Sequence, residues 1–409
     1  MRKYMKMLAC LMAAIYMVSC QEDPIFEEVS SLTTLDATDV SINSAVLNGE
    51  LDLTYWRRGI TQVSYVGFYI STSSDFNSED TEYYEQNSSS SSSPQLSFSR
   101  EARGLKENTT YYYYAYARQW ADEAVIKGAV KSFTTRPLIV PQGAIRGLFA
   151  VSSTKKVFFS KGNLQYKAST ATWRFAENQY DYVGDGNLNV SATYSGWIDL
   201  FGQGTSGYNG RYPYNTWDDD TESYGNPNGD LDGTNYDWGV YNAISNGGNQ
   251  KGMWRTMSSA ECNYLFQKRA NASQLYSNAR IAGTNGMIVL PDDWILPSGC
   301  SFNPGQKNYS SNVYTLEKWA KMEQAGAVFL PAAGGRCFRY NSPYSGFNDI
   351  EMRDVNVEGS YRLSTSHWFE NKPSFACIYD FDESSILITG YNYGGLEWAW
   401  SVRLVRDFQ

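Results

Sequence analysis

Histidine is all but missing from this chain: His367 is the single one among 409 residues. A Ser-His-Asp hydrolase would have to be built around it, and no Gly-x-Ser-x-Gly nucleophile elbow accompanies the neighbouring Ser364 and Ser366. Cysteines spaced Cys-x-x-Cys are absent too, which removes support for zinc-binding or thioredoxin-like chemistry. Positive charge is in deficit. The net charge is −9 and the isoelectric point about 4.9, which argues against a phosphate-binding surface and so against nucleic acid as a partner. Beyond solubility, acidity says little about what is bound. Past the first twenty residues no apolar run approaches membrane-spanning length. Aromatic side chains, by contrast, make up 15% of the chain and include 32 tyrosines, material for β cores and adhesive surfaces.

The chain opens with Arg2, Lys3 and Lys6, an apolar run from Met7 to Val18, and then Ser19-Cys20. The run is too short to span a bilayer, and the order of parts is that of a secretory signal. A small residue before a cysteine at this place resembles the lipobox of a bacterial lipoprotein, with Met17 where leucine is commoner. That resemblance implies a signal peptide over 1–19, acyl chains on Cys20 and a tether over 20–30. Gln21, Glu22 and Asp23 resemble the surface-export signal of Bacteroides-type lipoproteins, so the expected location is the outer membrane, lipid-anchored and cell-surface exposed. Setting Cys10 and Cys20 aside leaves Cys262, Cys300, Cys337 and Cys377. An exported chain permits disulfides among them, in three pairings the sequence does not rank, and buried thiols are the alternative.

Residues 31–136 read as successive short strands. Ser44–Gly49 and Ser64–Ile70 alternate, with Gly, Ser and Asp breaks between such runs. Gly104-Leu105-Lys106-Glu107-Asn108-Thr109-Thr110-Tyr111, leading into Tyr112–Ala117, resembles the corner entering strand F of a fibronectin type III domain. Tyr111 stands where a tyrosine-corner hydroxyl bonds back to the backbone. Phe133-Thr134-Thr135-Arg136-Pro137 closes the module in the manner of that family. Ser88 to Ser93 can bury nothing and reads as a loop. A spacer is the expected role, because such sandwiches host many unrelated functions.

A proline-containing linker, 137–143, leads into 144–409. Strands are expected at Lys156–Phe159 and Trp173–Phe175, and a long Gly-, Asn-, Asp- and Tyr-rich stretch from Gly196 to Gly252 reads as functional loops. Ser258-Ser259-Ala260-Glu261 is a capping box that opens a helix to about Arg269, with Leu265 and Phe266 inward. Thr315 caps a second helix carrying Leu316, Trp319 and Met322 at spacings of three. Met287–Pro291 reads as a short buried strand. In the closing run Trp398, Trp400, Val402 and Leu404 share one phase of a period of two, the pattern of a strand threaded into a core.

Val328-Phe329-Leu330-Pro331-Ala332-Ala333-Gly334, the pair Ser364-Thr365 and the ending Ser401-Val402-Arg403-Leu404-Val405 resemble the large C-type-lectin-like domain of the formylglycine-generating-enzyme branch. This branch occurs in surface lipoproteins of gut Bacteroides-like bacteria. Its members include the variable proteins of diversity-generating retroelements, whose last segment is mutagenised to create new ligand-binding surfaces. The fold class expected is therefore an all-β N-terminal sandwich, fibronectin type III-like, followed by an α+β C-type-lectin-like domain.

The residues bear on three chemistries. Asp218, Asp219, Asp220 and Glu222 precede Asp230 and Asp232, and calcium takes several hard oxygens from a loop. The related enzymes bind calcium, yet no glutamate follows Asp230 at the twelfth position, so a solvated acidic loop is preferred to a site at Asp218, Asp220, Asp230 and Asp232. The formylglycine-generating reaction needs a late cysteine pair, and no cysteine follows Cys377. Asp380, Asp382 and Glu383 sit at a strand end where acidic turns are common, which leaves a carboxylate-pair hydrolase as the weaker reading. Binding fits better. Large residues stand between Arg362 and Trp400: Arg362, His367, Trp368, Phe369, Asn371, Tyr391, Tyr393 and Glu397; the resemblance implies that the changeable positions of the diversified relatives lie in this same stretch. Tyrosine and tryptophan give much contact area at little entropic cost. The expectation is a non-enzymatic cell-surface lipoprotein that binds a protein or glycan through these loops, as a receptor or adhesin. The alternatives are a repurposed formylglycine-generating-type enzyme and a structural adhesin subunit of a surface fibre.

Overall fold

The computed structural model describes residues 32–52, 65–87, 95–118, 126–189, 191–215, 224–340, 348–369 and 372–408, with the backbone alone at 338–340, 348–349, 369, 372–374 and 387–394. The chain divides into two compact units between Ile139 and Val140. The serine run at 88–93 lies outside the described residues, as does Cys20.

The first unit is an antiparallel β-sandwich. Its strands are β1 (Leu32–Thr38), β2 (Ser44–Asp52), β3 (Tyr65–Ser71), β4 (Glu82–Asn87), β5 (Gln95–Arg103), β6 (Thr110–Arg118), β7 (Ile126–Lys127) and β8 (Lys131–Thr134). One sheet has the order β1-β2-β5. The other runs β4-β3-β6, and both β7 and β8 pair with β6. Alternation puts Ala45, Leu47 and Leu51 of β2 into one apolar cluster with Val66, Phe68 and Ile70 of β3. The rings of Phe68 and Phe98 join the two sheets at 5.2 Å. The tyrosine run of β6 is divided by the same alternation. Tyr111 and Tyr113 enter the core, while Tyr114 and Tyr116 pack against Tyr69 on the opposite face, with centroids 5.3 and 5.0 Å apart. The Tyr111 hydroxyl accepts the Lys106 N–H at 2.9 Å, the tyrosine-corner bond.

The second unit is built mainly of β-strands with short helices. In chain order the strands are β9 (Phe149–Ala150), β10 (Lys156–Phe159), β11 (Leu164–Lys167), β12 (Thr172–Phe175), β13 (Leu200–Phe201), β14 (Tyr276–Ile281), β15 (Thr284–Val289), β16 (Val313–Tyr314), β17 (Val328–Pro331), β18 (Gly335–Tyr340), β19 (Asn348–Arg353), β20 (Gly359–Phe369), β21 (Lys372–Phe381), β22 (Ile386–Gly395), β23 (Trp400–Ser401) and β24 (Val405–Asp407). The helices are α1 (Trp238–Tyr241), α2 (Ser259–Asn263) and α3 (Leu316–Gln324). A four-stranded sheet, β16-β14-β15-β17, and a five-stranded one, β13-β23-β20-β21-β22, carry the domain. Met287 and Val289 of β15 join Tyr361, Leu363, Tyr379 and Phe381 in one core cluster. Ile288, on the opposite face of β15, joins Trp319 and Met322 of α3 in another. Burial on both faces explains why β15 reads as a continuous apolar run.

Local signals set the helix ends. Ser258 Oγ accepts the Glu261 N–H while the Glu261 carboxylate accepts the Ser258 N–H, a complete capping box. The helix continues past Asn263 as a π turn over Tyr264–Lys268, which buries Leu265 and Phe266. Thr315 Oγ1 accepts the Lys318 N–H at the start of α3. Two expectations are corrected. Leu316, grouped by its spacing with Trp319 and Met322, is 52% exposed at the first position of α3, while the other two are buried. The closing run is not one strand of a single phase. It makes two short strands, buries Val402 and Leu404 in one cluster and Val405 in another, and leaves Trp398 38% exposed.

Candidate functional site

The sheet β20-β21-β22 positions the residues that the sequence singled out. His367 of β20 pairs with Phe375 of β21, and Phe375 pairs in turn with Gly395 of β22. Directly opposed residues share a face, so the three stand in a row across the sheet. The His367 and Phe375 rings are 6.5 Å apart, and Phe375 is 44% exposed. Gly395 has no side chain, and the Glu397 carboxylate fills its place: Oε1 lies 2.6 Å from where a Cβ would stand. Trp368 follows His367 and is 37% exposed. The strand positions of Phe369, Tyr391 and Tyr393 are described without their side chains, and Asn371 lies outside the described residues. Phe375 was missed by sequence reasoning, because its alternation with Cys377, Tyr379 and Phe381 reads as core. Only its position beyond the end of the packed cluster marks it as exposed.

Arg362 is a correction. Expected among the ligand contacts, it is 1% exposed. Its Nε donates to the Phe201 carbonyl at 3.2 Å. Its Nη2 donates to the carbonyls of Gly395 and Leu396 at 3.1 and 3.2 Å, and also to that of Trp398. The guanidinium stacks on Trp400, 4.4 Å from the ring centroid. Burial pushes its pKa down, against the upward pull of Glu397 and Tyr224. Arg362 therefore supports the loop that carries Glu397 from below and does not face a ligand.

The acidic candidates separate. Asp218 and Asp220 lie outside the described residues. Asp230 Oδ1 accepts the Ser366 N–H at 2.9 Å, and the neighbouring Asp232 lines a groove instead. Among the described residues no three His, Cys, Asp or Glu side chains gather as a metal site. Asp382 Oδ1 accepts the N–H and Oγ–H groups of Ser384 and Ser385. Partial burial opposes its charge, but those bonds hold its pKa below the ordinary value. This is a turn-forming carboxylate. No disulfide is present among the described residues; Cys262 and Cys377 share the central core cluster, and burial pushes the Cys377 thiol up to about 11.

The groove holding Asp232 has a volume of about 570 Å³ and is lined by Lys155, Arg255, Glu261, Tyr264, Lys268 and Asp407 among others. Arg255 is committed inside it, at 2.7 Å to Glu261 and 2.6 Å to Asp407. Charges of both signs line its wall.

Two fully buried carboxylates of the second unit carry a pH signature. Asp237 is fully buried, and its oxygens accept the Gly239 and Thr256 N–H groups at 2.9 and 2.8 Å. Asp199 is equally buried and accepts from Val183 N–H and Asn187 Nδ2, both at 2.8 Å. Burial raises each from 3.8 to about 6. In the window from about 4 to 6 the folded chain holds protons that the unfolded chain has released. The stabilising contribution is thus complete below pH 4 and lost as pH rises through 6, by roughly 2–3 kcal/mol per group. Urea unfolding should show the second unit more stable at pH 5 than at pH 7, with Asp199→Asn flattening about half of the difference. A midpoint that rises from pH 5 to pH 7 in the wild type would count against this account.

No protein-family model and no curated protein sequence matches the chain. Solved structures similar to part of it include the sensor domain of the anti-sigma factor RsgI4 of Pseudobacteroides cellulosolvens, at 16% identity over 26% of this chain and 94% of that one, with a TM-score of 0.20. A computationally redesigned β-sandwich protein matches at 18% identity over 26% of this chain and 91% of its own, TM-score 0.20. A human fibronectin type III domain matches at 16% identity, covering 27% and 76%, TM-score 0.18. The structural neighbours of this chain thus include β-sandwich and fibronectin type III domains.

Proposed function

We propose that this chain is a surface lipoprotein, acylated at Cys20, whose fibronectin type III-like sandwich is a stalk for a C-type-lectin-like head. The head, of the formylglycine-generating-enzyme branch, binds a protein or glycan through its C-terminal strands and does so without catalysis. The observation that carries the reading is the exposure of His367, Trp368 and Phe375 on strands most of whose other described side chains are buried. Solvent-exposed aromatics on a rigid sheet give contact area without an ordering cost. Arg362 beneath them supplies rigidity.

The test is binding of the full-length, detergent-solubilised protein to arrays of glycans and cell-surface proteins, beside a Trp368→Ala/Phe375→Ala double variant. A ligand whose affinity falls by roughly a hundredfold in a variant of unchanged melting temperature is the expected result, from two hot-spot aromatics. A ligand bound equally by both would move the site to the Asp232 groove. Loss of labelling by an alkyne fatty acid in Cys20→Ser checks the anchor.

A further inference from the structure

We infer that the row His367–Phe375–Glu397 receives a cationic side chain, a lysine or arginine of a protein partner. This rests on the binding reading above and names its chemistry. The row ends in a carboxylate. Glu397 is partly exposed, and its oxygens sit over Gly395, on the face that Phe375 and His367 share. Neighbouring strands are about 4.8 Å apart, so a ring and a carboxylate on adjacent strands stand side by side and offer one surface to a side chain laid over them.

Such a pair suits a cation. The ring face attracts positive charge through its quadrupole, and the carboxylate supplies a point charge and hydrogen-bond acceptors beside it. Among the described residues no hydrogen bond or salt bridge reaches the Glu397 carboxylate. The nearby cation, Arg362, is 1% exposed; its Nε and Nη2 donate to the carbonyls of Phe201, Gly395, Leu396 and Trp398, its Nη1 makes no hydrogen bond among the described residues, and it acts on Glu397 through charge alone. Glu397 thus keeps acceptors to spare at a partly exposed position, while Arg362 beneath it offsets part of its charge. The chain as a whole carries −9, which adds long-range attraction for a basic partner and none for an acidic one. Gly395 completes the design. A Cβ there would displace the Glu397 carboxylate, so glycine lets the carboxylate rest where it does.

The experiment titrates full-length protein with a heptalysine peptide, a heptaglutamate peptide and neutral dextran, at low and moderate salt. Wild type, Glu397→Gln, Phe375→Leu and the remote control Glu317→Gln are compared, with thermal melts to confirm folding. Glu317 is a suitable control because its side chain is 84% exposed, on α3. Heptalysine should bind, weaken as salt rises, and lose roughly tenfold in affinity in Glu397→Gln and roughly threefold in Phe375→Leu. Glu317→Gln should change little, and neither heptaglutamate nor dextran should bind. Equal losses in Glu317→Gln and Glu397→Gln would reduce the effect to general charge and overturn the proposal. Dextran binding that is lost with Phe375→Leu would also overturn it, while leaving the binding reading intact. Absence of heptalysine binding, together with no array ligand, would remove both.

Discussion

Deleting the last twelve residues, Trp398–Gln409, should unfold the second unit completely while the sandwich of the first unit keeps its own transition. These residues lie at the end of the chain but in the middle of the domain. β24 pairs with β10 through Val157↔Asp407, Phe158↔Arg406 and Phe159↔Val405. Between the two closing strands, the Leu164 N–H donates to the Val402 carbonyl at 2.9 Å and the Ser160 N–H to the Leu404 carbonyl at 3.0 Å. Val402, Leu404 and Val405 are each fully buried, at roughly 1.5–3 kcal/mol apiece before the cost of the cavities they leave. Arg403, also buried, reaches Gln179 Oε1 at 2.6 Å and so fixes a loop from the far end of the unit. With the lost strand pairing and the buried Arg403 added, these losses are of the same order as the roughly 5–15 kcal/mol by which domains are stable. Two transitions in a calorimetric scan of the intact protein should become one. A truncated chain that keeps both would show that the closing strands are dispensable.

Replacing Arg362 by methionine should cost roughly 3–5 kcal/mol or more, a larger loss than any surface substitution in the same sheet. The guanidinium serves carbonyls from Phe201, Gly395, Leu396 and Trp398, and methionine removes all of these bonds, although the Leu396 carbonyl keeps the Gln203 N–H at 2.8 Å. Arg362→Lys should rescue little, since one ammonium lacks the planar fork that spans several acceptors and also loses the stack on Trp400. The measurement is the urea midpoint of the second unit. If Arg362→Met keeps the wild-type midpoint and abolishes ligand binding, the arginine is a contact residue after all, as its place in the sequence suggests.

Much of the fold was legible because its causes are local. A capping box at Ser258 and Glu261 needs residues three apart, and both of its bonds are present. The corner at Lys106 and Tyr111 spans five residues, and its bond is made. Alternation in β2 and β6 follows from the two-residue repeat of a strand. The site was less legible because its causes are remote. Arg362 has the look of a surface residue until segments from residue 201 and from residues 395–398 close over it. Phe375 has the alternation of a core residue, yet the packed cluster ends before it. Trp398 shares a phase with Val402, but the chain turns between them.

The sequence by itself determined the β character of both units, the cap of each longer helix and the need to bury the closing run, since each depends on neighbours along the chain. Only the tertiary structure decided which large side chains face outward. That choice depends on where β20, β21 and β22 outrun the core beneath them and on which distant carbonyls an arginine can reach. Burial is a property of the assembled sheet, and no stretch of residues carries it alone.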